Sequence, residues 1–415
     1  MQRLKVLILV ADSNGGYPVP AVKGGAVSTL LESLVAGNNE QQLCDMTLVS
    51  FYDEQAERIA REQYPNVTFE WIRVPHIVRA LDNLAFWCVR TFFKGKKAIS
   101  FKSTFSLLYY IGKAARIIDN GSWDKVVLEN NMPLSHAIRK SHYQGDYYYH
   151  LHNVPRTNAR CQEVFDSCTG YLCVSDYVGD CIHSSDNAIG PVPREKVHAL
   201  YNSIDTHAFR PFSEGERLAV SQRIRETYHI PDGSKIIMFA GRLSWEKGPD
   251  KLLQAALELD DVSFIFAGGL LSGLNLEDDY QKSIHDAAIQ LGDRAIFTGY
   301  IDHDDLPAYY NAADITVLPS MWDEPAGLTM IEAMACGTPV ITTKSGGIPE
   351  YVGDYAFLLD RDDGLVDGIT RTIRYVLASE NEVEIAGRIK AGRERICRLF
   401  GDDTYINRFV DALNQ

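Results

Sequence analysis

One stretch, residues 314–353, constrains the fold more than any other: D-I-T-V-L-P-S-M-W-D-E-P-A-G-L-T-M-I-E-A-M-A-C-G-T-P-V-I-T-T-K-S-G-G-I-P-E-Y-V-G. Its opening apolar run, 315–318, has the length of a fully buried strand. A loop with Asp323, Glu324 and Pro325 follows. A helix is predicted from about 328 to 336, with Gly337 and Pro339 as its stop signal. Residues 340–343 read as the next strand, and Gly346-Gly347 as a sharp turn before a second helix. A strand–loop–helix–strand unit of this kind belongs to a parallel sheet, which offers ligands the loops at the carboxyl ends of its strands.

The rest of the chain has the same grammar. Short apolar runs at 6–10, 46–51, 69–74, 125–129, 147–152, 171–174 and 197–201 alternate with helical patterns such as 27–36, 106–119 and 177–183. A second series runs through 236–240, 262–267, 295–298, 315–318, 340–343 and 356–358. Alternation of this sort predicts doubly wound α/β domains. At 415 residues the chain exceeds one ordinary core. No apolar run approaches the roughly 20 residues of a membrane span, and the N-terminal V-L-I-L-V is shorter than a signal-peptide core. The eight cysteines form no C-x-x-C pair and read as free thiols.

Within the organising stretch, Glu324 lies in the loop and Glu332 inside the helix, separated by seven residues. The N–H groups that open the helix have no internal partners and attract an anion. A ligand with phosphates at the helix start could offer hydroxyls to both carboxylates. Nucleotide sugars have that layout.

Embedded in P-S-x-x-x-E-P-x-G-L-x-x-x-E-A-M-A-x-G-x-P-V and followed by G-G-I-P-E, the two glutamates resemble the signature of retaining GT-B glycosyltransferases of family 4. Ala326 departs from it, standing where relatives commonly carry an aromatic residue. The resemblance implies two Rossmann-like domains facing each other across a cleft: an acceptor-side domain at 1–206 and a nucleotide-sugar-binding domain at 207–400. A final helix within 401–415 would cross back to the first domain. It also implies a hexose transferred from a UDP- or GDP-sugar to an acceptor hydroxyl, with a lipid-linked saccharide in surface polysaccharide or glycolipid synthesis as a candidate acceptor. Alternatives on the same fold are a nucleotide-sugar epimerase, a phosphorolytic enzyme, and a binding protein without catalysis.

Further residues fit this reading. A-G-R-L-S-W-E-K-G follows a strand and holds Arg242 and Lys247 five apart, where two cations can converge on a diphosphate whose charge grows as the sugar leaves. The family's matching Arg and Lys bind the donor diphosphate. Gly24 and Gly25 precede the first helix, and in the family such a pair lies over the donor phosphate or near the acceptor. Strand 147–152 ends in H-x-H-N, and the resemblance makes His152 a contact to the donor sugar; His150 points the same way by alternation and would support it. By resemblance, Glu324 holds sugar hydroxyls and Glu332 the ribose. Gly327, Leu328 and Thr329 would offer the helix start to the phosphates, and backbone near Tyr300 and Ile301 would meet the base. Asp302-His303-Asp304 is formally D-x-D, but it precedes a helix, so Asp304 or its neighbour is expected to be an N-cap rather than a metal ligand. With two cations on the diphosphate no metal cofactor is expected.

The formal net charge is −14, carried entirely by the second half: residues 1–205 hold 21 basic and 21 acidic side chains. Nucleic acid is therefore an unsuitable partner. Residues 73–102 run against the trend, with seven basic residues facing Asp82 alone and Phe86, Trp87, Phe92, Phe93 and Phe101 interleaved. Such a mixture suits an anionic membrane surface as well as it suits a core-facing helix with a basic outer face. The expected location is the cytoplasm, with this stretch as a candidate contact to the inner face of the membrane.

Overall fold

The structure is a computed structural model that describes residues 3–11, 17–22, 25–92, 102–269 and 279–415. The chain divides into two compact units, one of residues up to Ser203 together with Asp402–Gln415, the other Ile204–Gly401.

In the first unit seven strands form one sheet: β1 (Leu4–Leu9), β2 (Cys44–Phe51), β3 (Thr68–Ile72), β4 (Lys125–Glu129), β5 (Asp146–Leu151), β6 (Gly170–Cys173) and β7 (Val197–Ala199). Their order is β3-β2-β1-β4-β5-β6-β7 and the ladders are parallel. Both faces of such a sheet are covered by helices, which is why its strands are nearly continuous hydrophobic runs. Val6, Ile8, Met46, Leu48 and Val127 are buried with Leu31, Leu34 and Val35 of helix Ala26–Gln41. Tyr405, Ile406, Phe409 and Leu413 of helix Tyr405–Leu413 enter the same core. That helix belongs to this unit because its apolar stripe is spent there.

The second unit holds β8 (Lys235–Ala240), β9 (Val262–Ala267), β10 (Ala295–Gly299), β11 (Ile315–Leu318), β12 (Val340–Thr343) and β13 (Phe357–Leu359). Their order is β10-β9-β8-β11-β12-β13, again parallel. Stacked or tilted rings of Phe239, Phe266 and Phe297 run across β8, β9 and β10. In both sheets the winding reverses beside the first strand, between β1 and β4 and between β8 and β11. Open α/β sheets bind ligands at the carboxyl ends of the strands flanking such a reversal. No described helix is long and apolar enough to cross a membrane.

Candidate functional site

The loops leaving β8 and β11 carry four of the residues singled out above. Arg242 follows β8, is exposed, and has no ion-pair partner among the described residues. Lys247 ends a single 3-10 turn, Trp245–Lys247, and Gly248 then reverses the backbone at φ 66°. A Cβ at Gly248 would lie 2.2 Å from the carbonyl oxygen of Pro319, so only glycine lets the β8 loop rest on the β11 loop. Met321 N–H donates to Glu246 O at 2.7 Å and further fastens those loops. The result is direct contact between Lys247 Nζ and Glu324 Oε1 at 2.5 Å, with Ser320 Oγ donating to the same oxygen at 2.8 Å.

Glu324 is 5% exposed and held from behind. Gly347 N–H donates to its carbonyl at 2.7 Å. Gly346, at φ 54°, passes so close that an added Cβ would meet Glu324 O at 2.2 Å and Glu324 N at 2.7 Å. Gly346→Ala is expected to cost about 2 kcal/mol or more, combining a left-handed backbone with a clash against backbone. That corresponds to a fall in Tm of roughly 5 °C. Gly387→Ala, inside helix Glu382–Phe400 with nothing within 4 Å of the new methyl, should instead raise Tm. Thermal melts of the two variants check the contrast.

Helix Leu328–Ala335 starts at Gly327 without a side-chain cap. The opening N–H groups of Leu328 and Thr329 therefore remain available to an anion. Glu332 lies one turn further in, also 5% exposed. Its carboxylate accepts from Tyr310 OH at 3.4 Å and pairs with His303 Nε2 at 3.0 Å. Tyr300 is 74% exposed just beyond β10, after Gly299 at φ 72°, and Ile301 is half-buried next to it.

The N-cap position expected of Asp304 or its neighbour falls to Asp305, but its side chain makes no cap hydrogen bond. Residues His303–Asp305 form a 3-10 turn, and helix Leu306–Ala312 begins without a side-chain cap from Asp305. The turn continues straight into the helix, so Asp305 before the helix is already helical, while the extended position before the turn belongs to Asp302, whose side chain makes no cap; the turn delivers His303 to Glu332. The hydrogen bond to Glu332 raises the His303 pKa above its ordinary value against an opposing push from burial; the charges of Glu332, Asp304 and Asp205 add to it. A raised folded-state pKa means the pair stabilises fully below about pH 6.5 and loses its contribution as pH rises through the folded value. The Tm difference between wild type and His303→Ala should accordingly shrink from about pH 6.5 upward, as scanning calorimetry across that range would show.

In the first unit, the parallel register sets Glu129, the last residue of β4, beside His150 of β5, and His152 follows two residues on. All three are buried. Glu129 faces His150 Nδ1 at 3.1 and 3.2 Å and His152 Nε2 at 3.2 Å, and the two rings are 4.2 Å apart. Asn130, in the left-handed region at φ 50°, accepts from His152 N–H through Oδ1 at 3.0 Å and donates N–H to His150 O at 2.8 Å. Asn131 Nδ2 reaches back to Ala11 O, past the end of β1, at 2.7 Å. Burial would raise the Glu129 pKa, but the two imidazoles outweigh it and hold the carboxyl down at about 2. Burial and the neighbouring His150 lower His152 to about 4 against the pull of Glu129. Among the described residues these three could hold a metal ion, since their ligand atoms lie within 4.8 Å of one another.

Gly25 stands at φ 105° before helix Ala26–Gln41, whose start has no side-chain cap. Gly24 lies outside the described residues, as do residues 93–101 of the basic, aromatic stretch. The described part of that stretch is helix His76–Phe92, which exposes Ile77, Leu81, Leu84 and Trp87 at spacings of three and four. Asp82 is turned inward to accept from Phe105 N–H and from Ser106 N–H and Oγ. The structure thus brings Lys247 to Glu324 and His152 to His150. His303 and Glu129 are the partners that the sequence reading missed.

Comparison with known proteins bears on the family and the fold. Residues 220–393 match the family described as Glycosyl transferases group 1. The chain is 29% identical over 358 residues to spore coat protein SA of Bacillus subtilis (strain 168), covering 84% of this chain and 83% of that one. It is 33% identical over 184 residues to the 2-deoxystreptamine glucosyltransferase of Streptomyces kanamyceticus, covering 43% of this chain and 46% of that enzyme. Among solved structures, Anabaena HepE in complex with UDP and glucose shares the fold with a TM-score of 0.69 at 18% identity, over 99% of this chain and all of that one. The fold is therefore that of the GT-B glycosyltransferases: two Rossmann-like units, each on a parallel sheet.

Proposed function

We propose that this chain, which carries a glycosyl transferases group 1 domain at residues 220–393, is a retaining, family 4 hexosyltransferase that uses a nucleotide-diphosphate sugar. The observation that carries the reading is the set of groups at the β8–β11 reversal: an exposed arginine, a lysine touching a buried glutamate, and an uncapped helix start one turn before a second buried glutamate. In this reading Arg242, Lys247 and the N–H groups of Leu328 and Thr329 take the diphosphate, beside Gly327. Glu332 takes the ribose, and Tyr300 and Ile301 flank the base. Lys247 would shift part of its interaction from Glu324 to the phosphate oxygens as charge develops there, favouring the transition state over the ground state. Glu324, freed at that moment, holds sugar hydroxyls near the reacting carbon. His152 takes a further sugar hydroxyl, and Gly25, with Gly24, is assigned to phosphate or acceptor. Two cations on the diphosphate remove the need for a metal there. UDP is the first nucleotide to try, because the structural neighbour binds it.

A thermal-shift panel of UDP, GDP, ADP and CDP tests donor binding, since a ligand of the folded state raises Tm. Nucleoside diphosphate release that requires an acceptor would mark transfer; conversion of the sugar nucleotide without acceptor would point to an epimerase instead. The acceptor is read as a saccharide, lipid-linked in the version that also uses helix His76–Phe92. Its exposed apolar row, flanked by exposed Arg79 and Arg90, suits an anionic membrane surface. Each such charge is worth about 1 kcal/mol near anionic lipid. Arg79→Glu with Arg90→Glu should weaken retention on phosphatidylserine vesicles at low salt by more than about tenfold. Undiminished cosedimentation of the double variant removes the membrane contact.

A further inference from the structure

The buried Glu129–His150–His152 group is not needed to bind a nucleotide on the other unit, yet it places a carboxylate and two imidazoles together almost wholly out of contact with solvent. Its hydrogen-bond logic is determined. Glu129 has a side chain with no exposure, and as a carboxylate it can only accept. Each ring nitrogen that faces it must therefore carry the hydrogen: Nδ1–H in His150 and Nε2–H in His152. The remaining nitrogens, His150 Nε2 and His152 Nδ1, are buried and have no hydrogen-bond partner. In neutral imidazoles those atoms are bare acceptors, and an unmet acceptor is less costly than an unmet donor.

We propose that Glu129 is a positioning residue that locks His152 in its Nε2–H form, so that His152 Nδ1 is presented as a lone-pair acceptor for a hydroxyl of the sugar. The inference rests on the reading of His152 given above. Three observations converge on it. The register places Glu129 and His150 side by side and the pleat places His152 on the same face. Asn130 Oδ1 holds the His152 backbone N–H at 3.0 Å, and Glu129 holds the ring itself through Nε2 at 3.2 Å. An unpaired Nδ1 atom is left over in a side chain that is 5% exposed. His150 shares the carboxylate, which keeps Glu129 from turning away and leaves His152 with one acceptor only. The other groups near this site are Tyr405, whose hydroxyl Glu129 acts on electrostatically, and Arg408 over the Tyr405 ring at 5.4 Å. The lowered His152 pKa is consistent with a neutral ring at pH 7.

A metal ion held by the same three side chains is the competing use. It would require the distal nitrogens of both rings to carry hydrogens, and metal-bound histidines almost always donate that hydrogen to a partner. Here both distal atoms lack one.

Long-range ¹H–¹⁵N correlation spectra of the full chain at pH 7 test the proposal directly, with His152 assigned by its loss in His152→Gln. The expected result is a protonated Nε2 and an unprotonated Nδ1 on His152, with the pattern becoming mixed or reversed in Glu129→Gln. An Nδ1–H form in wild type overturns the proposal, and so does about one equivalent of zinc in the purified protein that is absent from Glu129→Gln. In transfer assays Glu129→Gln and His152→Ala should each lower kcat/KM by about 10²-fold or more, and the double variant should be no worse than the poorer single. Additive losses contradict the coupling. Should the spectra hold while His152→Ala transfers sugar at the wild-type rate, the role of His152 in the reaction fails and the tautomer assignment stands.

Discussion

Replacing Lys247 with alanine is expected to lower kcat by about 10²–10³-fold, the usual loss when one preorganised group that stabilises developing charge is removed. The reason lies in the ground state. Lys247 Nζ is already spoken for by Glu324 at 2.5 Å, and the side chain of Glu324 is only 7% exposed. Before a donor binds, the pair keeps both charges satisfied; once a diphosphate arrives, the ammonium has two competing anions within reach. Removing the lysine loses the cation and strands a buried carboxylate, so Lys247→Ala should also cost about 2 kcal/mol of stability. Glu324→Gln separates the two effects. It keeps the shape and the Ser320 contact, and should fall by about 10²-fold in kcat with little change in Tm. Because both act through one contact, the double variant should lose less than the product of the single losses. Steady-state rates together with melting curves check each point. Wild-type kcat in either single variant would remove the assignment of these residues to the reaction.

The second large effect is expected in binding. Glu332→Ala should raise the Kd of a nucleoside diphosphate by about 10–100-fold, in line with hydrogen bonds to a charged group, while changing kcat a few-fold at most. A nucleotide lacking its ribose hydroxyls should bind wild type and Glu332→Ala alike. Isothermal titration with ribo- and deoxyribonucleotides is the measurement. Loss of affinity for both to the same extent would mean that Glu332 supports the helix rather than the ribose. His303→Ala gives a useful companion, since it frees one oxygen of the same carboxylate without removing the charge.

Sequence periodicity was enough to locate the strands because buried parallel strands are short, apolar and bounded by turns. The runs at 125–129, 262–267, 315–318 and 340–343 coincide with β4, β9, β11 and β12, and the others differ by a few residues at their ends. Helix Ala26–Gln41 extends past its expected end at 36 because Gly37 packs against Ile406 and the buried Asn38 side chain is satisfied by the Cys44 backbone, accepting from its N–H at 3.2 Å and donating to its carbonyl at 3.1 Å. The organising stretch was legible for the same reason that it matters: its glycines and prolines are punctuation whose positions are forced by geometry. Gly346 illustrates the point, with a backbone angle and a contact that no side chain would tolerate.

Pairings between distant loops were not legible. Lys247 and Glu324 are 77 positions apart, and only the β8–β11 adjacency makes them neighbours. Glu129 had a signal that could have been read, an acid ending one apolar strand just before another ending in H-x-H, but its use depends on register. His303 was obscured by the two aspartates around it, which suggested a cap where the backbone forms a continuous turn.

The central claim is that a nucleotide diphosphate sits on the unit 204–401 with its charged middle at Arg242, Lys247 and the start of helix Leu328–Ala335 and its ribose on Glu332. The most direct measurement is a crystal structure of the protein with the nucleoside diphosphate that raises Tm most. The account predicts phosphate oxygens within hydrogen-bond reach, about 2.7–3.2 Å, of Lys247 Nζ and the Leu328 and Thr329 N–H groups, and ribose hydroxyls on Glu332. Nucleotide bound at any other place on the unit, with Lys247 still closed on Glu324 and Glu332 untouched, would contradict it.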